Sequence, residues 1–284
     1  MKKSSLATTL VATASALALS LAPLAPASAA TSAWGLWPEI APGAFSSQPL
    51  TFSGTGTVNA TWTLTGADSY EVIATDVDKD PQEYFSAGTP IGAVFGANGP
   101  SSTENYLKAT SQANPSVVPV VLTVTFASAV AAGSLGFAVS DLDTDNVTVT
   151  ATDGSGGALT GAQIVGTATT EAFNFCAYNG DSECTDTAVP SVVQNANDVR
   201  ATGVESNTDG STAWFRPSVA VKTVTFTFLN DDTTVGNSSS ARYWFAQNAP
   251  LPDTGLSGST LITLFVVGAS LLAAGGLLVA RRHS

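Results

Sequence analysis

The chain has 284 residues, and its 22 acidic side chains outnumber its 10 basic ones, which gives a formal net charge of −12 at neutral pH. An acidic surface repels nucleic acid and anionic lipid, so neither is expected as a partner. The single histidine, His283, is the penultimate residue, so a histidine-dependent site in the body of the chain is excluded.

Residues 1–29 have the pattern of a secretory signal peptide. Lys2 and Lys3 form a cationic start, residues 6–21 are apolar, and residues 27–29 are small. We expect cleavage after Ala29, although cleavage one residue later would satisfy the same rule. An exported chain lies in a compartment where disulfides persist.

Residues 30–249 predict one surface domain made of short strands. Apolar residues alternate with threonine and other polar residues, the pattern of strands with one buried face. Because no long amphipathic segments separate these runs, we expect an all-β fold, an antiparallel β-sandwich. The capping-box pattern of residues 101–104 predicts one short helix through Lys108. The clearest predicted strands are residues 57–64, 120–126, 135–139, 147–151 and 219–229.

Two acidic segments place three carboxylates at alternate positions, which in an extended segment project to one side. Calcium takes six to eight oxygen ligands, so either segment is a candidate calcium site, although neither matches an EF-hand loop. Solvated turns are the alternative, because aspartate favours turns. The preferred candidate consists of Asp141, Asp143, Asp145 and Asn146, and the other of Asp76, Asp78 and Asp80.

The only two cysteines, Cys176 and Cys184, enclose a seven-residue segment. In an exported chain they predict a structural disulfide. A zinc or catalytic pair has neither a histidine partner nor the right spacing.

Adjacent aromatic residues occur at Trp214-Phe215 and at Trp244-Phe245. Neighbouring residues of a strand face opposite ways, so one ring of each pair should lie on the second face of the sheet. There it would stack on a sugar, meet a partner protein, or pack against other parts of the domain.

Residues 250–284 combine a pentapeptide, an uncharged apolar run at 261–280 and a cationic tail. A helix of about 20 residues is about 30 Å long, enough to cross a bilayer. Arg281 and Arg282 would then stay on the cytoplasmic side. The pentapeptide consists of Leu251, Pro252, Asp253, Thr254 and Gly255.

This order of features resembles the C-terminal sorting signal of the LPxTG cell-wall surface proteins of Gram-positive bacteria. The resemblance implies that a membrane-bound sortase cuts between Thr254 and Gly255 and joins the threonine to peptidoglycan. The membrane would hold the chain only transiently, through residues 261–280. The alternative is a permanent C-terminal anchor in which the pentapeptide occurs by chance. We expect a secreted protein that is covalently attached to the cell wall.

Without both signals, residues 30–254 keep six basic side chains against 22 acidic ones, a net charge of −16. His283 is lost, which excludes Ser-His-Asp and Cys-His catalysis in the anchored product. Carboxylates for a glycosidase are plentiful, but no pair is marked out. We therefore expect a non-enzymatic protein of adhesion or envelope interaction, with an unnamed protein or glycan ligand and calcium as the one suggested cofactor. The alternative is a carbohydrate-binding module facing peptidoglycan or another glycan.

Overall fold

The computed structural model describes residues 32–38, 47–54, 56–74, 85–98, 105–112, 118–168, 170–179, 187–204, 210–230 and 238–248. Within these ranges no helix has both the length and the apolar composition needed to span a membrane. The predicted signal peptide, residues 1–29, and the predicted spanning segment, residues 261–280, lie outside them.

The described residues form an almost entirely β structure, which confirms the predicted all-β class. Three short helices are present: α1 (Gly92–Phe95), α2 (Gly161–Val165) and α3 (Cys176–Asn179). The strands are β1 (Ser32–Leu36), β2 (Gln48–Phe52), β3 (Ala60–Thr65), β4 (Ser69–Ala74), β5 (Asn105–Gln112), β6 (Val120–Val130), β7 (Leu135–Ser140), β8 (Asn146–Thr152), β9 (Ala172–Asn174), β10 (Ser191–Gln194), β11 (Val199–Thr202), β12 (Ser211–Phe215), β13 (Val221–Leu229) and β14 (Ser238–Asn248).

All strand pairs are antiparallel, and they form two layers. Layer 1 has the order β10-β11-β8-β13-β6-β3-β2, and layer 2 contains β14-β7-β12-β9. Strand β5 pairs with β14 and with β4 at the other edge of layer 2.

Strand β1 joins the two layers into one continuous sheet. Its first half pairs with β14, and Gly35 and Leu36 then pair with β2. A Cβ atom on Gly35 would lie 2.9 Å from Leu50 Cδ1, so the absence of a side chain lets the strand cross between layers. The predicted sandwich of separate sheets is therefore wrong, and the fold is barrel-like. Alternation of apolar and polar residues in the sequence shows that a strand has a buried face but not how the layers join.

The predicted strands are confirmed at β3, β6, β7, β8 and β13. The predicted short helix is wrong from Asn105 onward, because these residues form β5. Backbone pairing with β4 on one side and with β14 on the other outweighs the local capping signal. Tyr106 and Leu107 point to opposite faces of β5, and both are buried.

The inner core lies between the two layers. Phe226 of β13 contacts three aromatic rings of layer 2, with ring centroids 5.6 Å away at Phe137, 5.1 Å at Tyr243 and 5.9 Å at Phe245. These edge-on contacts add to the burial of apolar area. Layer 1 supplies its alternate apolar residues to the same core, among them Trp62, Leu122, Val149 and Phe228.

A second core covers the outer face of layer 2. Residues 85–98, which include α1, and residues 175–179, which include α3, contribute side chains that pack on this face. Phe85 lies 4.8 Å from Trp244 between ring centroids, and Phe95 lies directly over Gly136, where any side chain would collide with it. The members from the sheet are Trp34, Tyr106, Ala138, Phe173, Trp214, Trp244 and Ala246.

Replacing Phe226 by alanine should lower the free energy of unfolding by about 3–5 kcal/mol, because it leaves a cavity where the two layers meet. Urea denaturation measures the change. The matched control is Thr225→Ala, which removes an outward-facing side chain one position away and should cost no more than about 1 kcal/mol. Equal losses in the two variants would contradict this placement of the inner core.

Candidate functional site

The described residues end with Asn248 of β14, three positions before Leu251. All five residues of the predicted sorting pentapeptide therefore lie outside the described residues. Strand β14 lies between β1 and β5 on one side and β7 on the other. The chain thus continues toward the pentapeptide from the middle of layer 2.

The two aromatic pairs divide between the two cores, as the sequence predicts. Phe215 and Phe245 belong to the inner core, and Trp214 and Trp244 belong to the outer one. The outer face is covered, however, so neither tryptophan is available to a sugar. Trp214 donates its indole N–H to the carbonyl oxygen of Thr170. All five tryptophans of the chain are at most 3% exposed.

The β7–β8 loop, residues 141–145, packs Asp141 and Asp145 against β14. Asp141 adopts a left-handed conformation with φ of 67°, and it accepts a hydrogen bond of 2.6 Å from Ser240 Oγ. Arg242 Nη2 lies 3.5 Å from the same carboxylate oxygen, and both side chains are mostly buried. Asp145 accepts a hydrogen bond from Ser239 Oγ. The carboxylates of Asp141 and Asp145 therefore already accept hydrogen bonds from side chains of β14.

Calcium at Asp141, Asp143, Asp145 and Asn146 stays a prediction. The loop is bent at residues 143 and 144, so the extended geometry assumed from the alternate spacing does not apply. Among the described residues, no group of three or more histidine, cysteine or acidic side chains is arranged to hold a metal ion. An ion at Asp141 would have to compete with the Arg242 guanidinium. The other predicted site, Asp76, Asp78 and Asp80, lies outside the described residues.

Cys176 begins α3, is buried, and takes part in a disulfide. Its backbone N–H donates to Asn174 Oδ1 over 3.0 Å. The predicted partner, Cys184, lies outside the described residues, so the pairing itself stays a prediction.

The outward side of layer 1 has a composition that sequence reasoning missed. Strands β3, β6, β13 and β8 are neighbours, and in each of them buried apolar residues alternate with outward-facing ones. The register aligns the outward positions in three rows across the four strands. The rows are Thr61, Thr125, Thr223, Thr152; then Thr63, Thr123, Thr225, Thr150; then Thr65, Val121, Thr227, Thr148.

We call these positions the threonine face. Eleven of the twelve side chains are threonine, and none is charged. Neighbouring strands lie about 4.8 Å apart, so hydroxyl groups of one row are close neighbours. Thr123 Oγ1 and Thr225 Oγ1 are 3.3 Å apart and share a hydrogen bond. The sequence signal was a Thr-x-Thr pattern in four separate segments, but only the register shows that the segments are aligned.

A groove of about 370 Å³ lies at the first row of this face. Its polar lining comes from Asn59, Thr61, Thr125 and Lys222. The Lys222 ammonium donates a hydrogen bond of 2.8 Å to the carbonyl oxygen of Ala127, which fixes the cation at the rim. The groove therefore offers hydroxyl, amide and ammonium groups together.

The groove lies at the end of the domain from which the C-terminal tail departs. The side-chain amide of Gln247, the penultimate residue of β14, makes two hydrogen bonds of 2.8 Å with the backbone of Val58. The next residue, Asn59, lines the groove and accepts a backbone hydrogen bond from Ala127. The end of β14 is thus hydrogen-bonded to Val58, whose chain neighbour Asn59 lines the groove.

In comparisons with known proteins, no family model matches this chain and no curated protein matches it.

Burial raises the pKa of Tyr243 well above its ordinary value of 10.0, and the nearby Asp145 carboxylate adds to the shift. The tyrosine hydroxyl has no hydrogen-bond partner among the described residues. Its protonated form is therefore the one that the folded domain accommodates.

Tyr243→Phe should change the alkaline stability of the domain. Since the folded pKa exceeds the unfolded one, the wild type keeps its full stability below about pH 10 and loses it as pH rises further. The variant lacks this ionisation, so its free energy of unfolding should fall less steeply above pH 10. At pH 7 the change should be under about 1 kcal/mol, because no hydrogen bond is lost. Urea denaturation from pH 7 to pH 11 measures both effects.

Tyr178→Phe is the matched control, because it removes an exposed hydroxyl group. It should keep the alkaline slope of the wild type. If Tyr243→Phe keeps that slope as well, the hydroxyl of Tyr243 is not buried as described.

Proposed function

We propose that this chain is exported, cut by a sortase between Thr254 and Gly255, and displayed on peptidoglycan as a non-enzymatic surface protein of adhesion or envelope interaction. The observation that carries the proposal is the order of features at the C-terminus. A sortase pentapeptide, an uncharged run long enough to cross a bilayer and two arginines follow one another in residues 251–282. The signal-peptide pattern of residues 1–29 supplies the matching export step.

The position of β14 supports a load-bearing attachment. Hydrogen bonds between antiparallel strands are perpendicular to the strand direction. A force on the end of β14 therefore loads its bonds to β1, β5 and β7 together rather than one after another. Seven consecutive residues of β14 are buried, so the strand is firmly packed in the domain that the anchor would hold.

The short distance between domain and anchor favours a function at the envelope. Thr254 is six residues after Asn248, so these residues span at most about 20 Å. Residues 30–254 would be displayed close to the wall rather than on a long stalk. A partner in or near the wall is within reach of such a domain.

A carbohydrate-binding module is the second candidate function. The buried tryptophans remove the usual stacking platform for sugars. The threonine face supports this candidate, because it offers uncharged hydroxyl groups on the outside of the domain, with the Lys222 ammonium at the adjoining groove.

Thr254→Ala should abolish covalent attachment to the wall, because it alters the residue whose carbonyl the sortase attacks. The full-length variant should stay in the membrane fraction through residues 261–280 and be extracted by hot detergent. The wild type should resist detergent and be released by a muralytic enzyme. Fractionation of expressing cells, followed by immunoblotting, measures the distribution.

Thr260→Ala is the matched control, with the same substitution outside the pentapeptide. It should be anchored like the wild type. Detergent-resistant, muralytic-released Thr254→Ala would show that the chain reaches the wall by another route.

A further inference from the structure

We propose that the threonine face binds the neutral glycan strands of the wall to which the chain is anchored. This inference deepens the proposed function and rests on it, because the anchor is what brings the glycan to this face. The contact would be a second, non-covalent attachment beside the sortase bond.

The composition of the face exceeds what strand formation requires. Threonine suits a strand because it is β-branched, but valine, isoleucine and tyrosine suit it equally. Outward positions elsewhere in the sheet do carry charged residues, such as Glu71 in β4, Lys108 in β5 and Arg200 in β11. A chain with 22 acidic residues places none of them on the twelve positions of this face. The face is thus uncharged within an acidic protein.

The chemistry of the face fits a polyhydroxylated partner. Each threonine hydroxyl both donates and accepts hydrogen bonds, as sugar hydroxyls do. Its β-branched side chain is stiff at χ1, so little conformational freedom is lost when a partner binds. Thr61, Thr63, Thr65 and Thr150 are exposed, and the other threonines are half-buried between their neighbours. A polymer whose hydroxyl groups also repeat at regular intervals is the partner that best matches such a surface.

The net charge of the anchored chain favours some polymers of the envelope over others. The anchored chain carries a net charge of −16, so an anionic polymer would be repelled. A neutral sugar backbone is not repelled. Two cations border the face. Lys222 is oriented by its bond to Ala127, and Arg200 of β11 is paired with Thr148 at the end of the third row. Each can donate a hydrogen bond to a neutral sugar oxygen.

Anchoring at Thr254 would hold the wall close to the groove. The groove at the first row is connected to the end of β14 through Gln247, Val58 and Asn59. Only five residues separate Asn248 from Thr254, the proposed attachment point. Tethering through so few residues gives an effective concentration of about millimolar, so even a weak contact would be occupied.

Binding to purified wall sacculi tests the inference. The full chain in mild detergent is sedimented with sacculi at about millimolar disaccharide, the range set by the tether. The sacculi are used with and without their anionic polymers. The wild type should sediment with both preparations, and its bound fraction should be the same at low and high salt, because the face is uncharged.

The decisive variant replaces the middle row, Thr63, Thr123, Thr225 and Thr150, by valine. Valine keeps the shape and the strand preference of threonine and removes only the hydroxyl group. Four lost hydroxyl contacts should weaken binding by about tenfold or more. The double variant Thr63→Val/Thr150→Val alters two exposed positions with little risk to folding, and it should show a smaller loss.

Thr144→Val is the matched control, because Thr144 is exposed in the β7–β8 loop and lies outside the face. It should bind like the wild type, and all variants should unfold at similar temperatures. Equal binding by the valine variants and the wild type, absence of wild-type binding, or loss of binding at high salt would each overturn the inference. Sacculus binding needs no sortase, so these outcomes are independent of the Thr254→Ala result.

Discussion

Strand β14 is the element on which the rest of the structure depends. Its successive side chains point to opposite faces, so Tyr243 and Phe245 enter the inner core while Trp244 enters the outer one. Its backbone pairs with β1, β5 and β7. Since β1 then passes to β2, the pairing of β14 with β1 also closes the connection between the two layers. A change in its register would turn every one of these side chains to the wrong face.

The two layers present different outer surfaces. The outer face of layer 2 is aromatic and is covered by residues 85–98 and 175–179. The outer face of layer 1 carries the threonine face, with four threonines exposed. The aromatic residues therefore contribute to stability, and the threonine face is the surface that the proposed glycan contact would use.

The sequence predicted the strands well, because alternation is a local property that survives folding. It also predicted that the rings of each aromatic pair face opposite ways, since adjacent residues of a strand must do so. Two predictions failed for non-local reasons. Strand β5 replaced a short helix because β4 and β14 pair with it, and the two layers are joined because β1 divides its pairing between them.

The threonine face shows the same limit of sequence reasoning. The likeness between residues 121–126 and 222–228 is visible in the sequence, but it does not constitute a repeat. The structure shows the two segments as antiparallel neighbours in β6 and β13, so their threonines align across the sheet. Similarly, the sequence could not show that Asp141 and Asp145 of the β7–β8 loop contact serines and an arginine of β14, and calcium at this loop stays a prediction. Such partners come from distant parts of the chain.

Covalent anchoring of the chain beyond β14 is a proposal that the C-terminus of the wall-released protein can test. Muralytic digestion of expressing cells, followed by proteolysis and mass spectrometry, would identify the C-terminal peptide. Sortase cleavage predicts a peptide that ends at Thr254 and carries a peptidoglycan fragment on the threonine carbonyl. A C-terminal peptide that contains Gly255 and residues of the apolar run would contradict it.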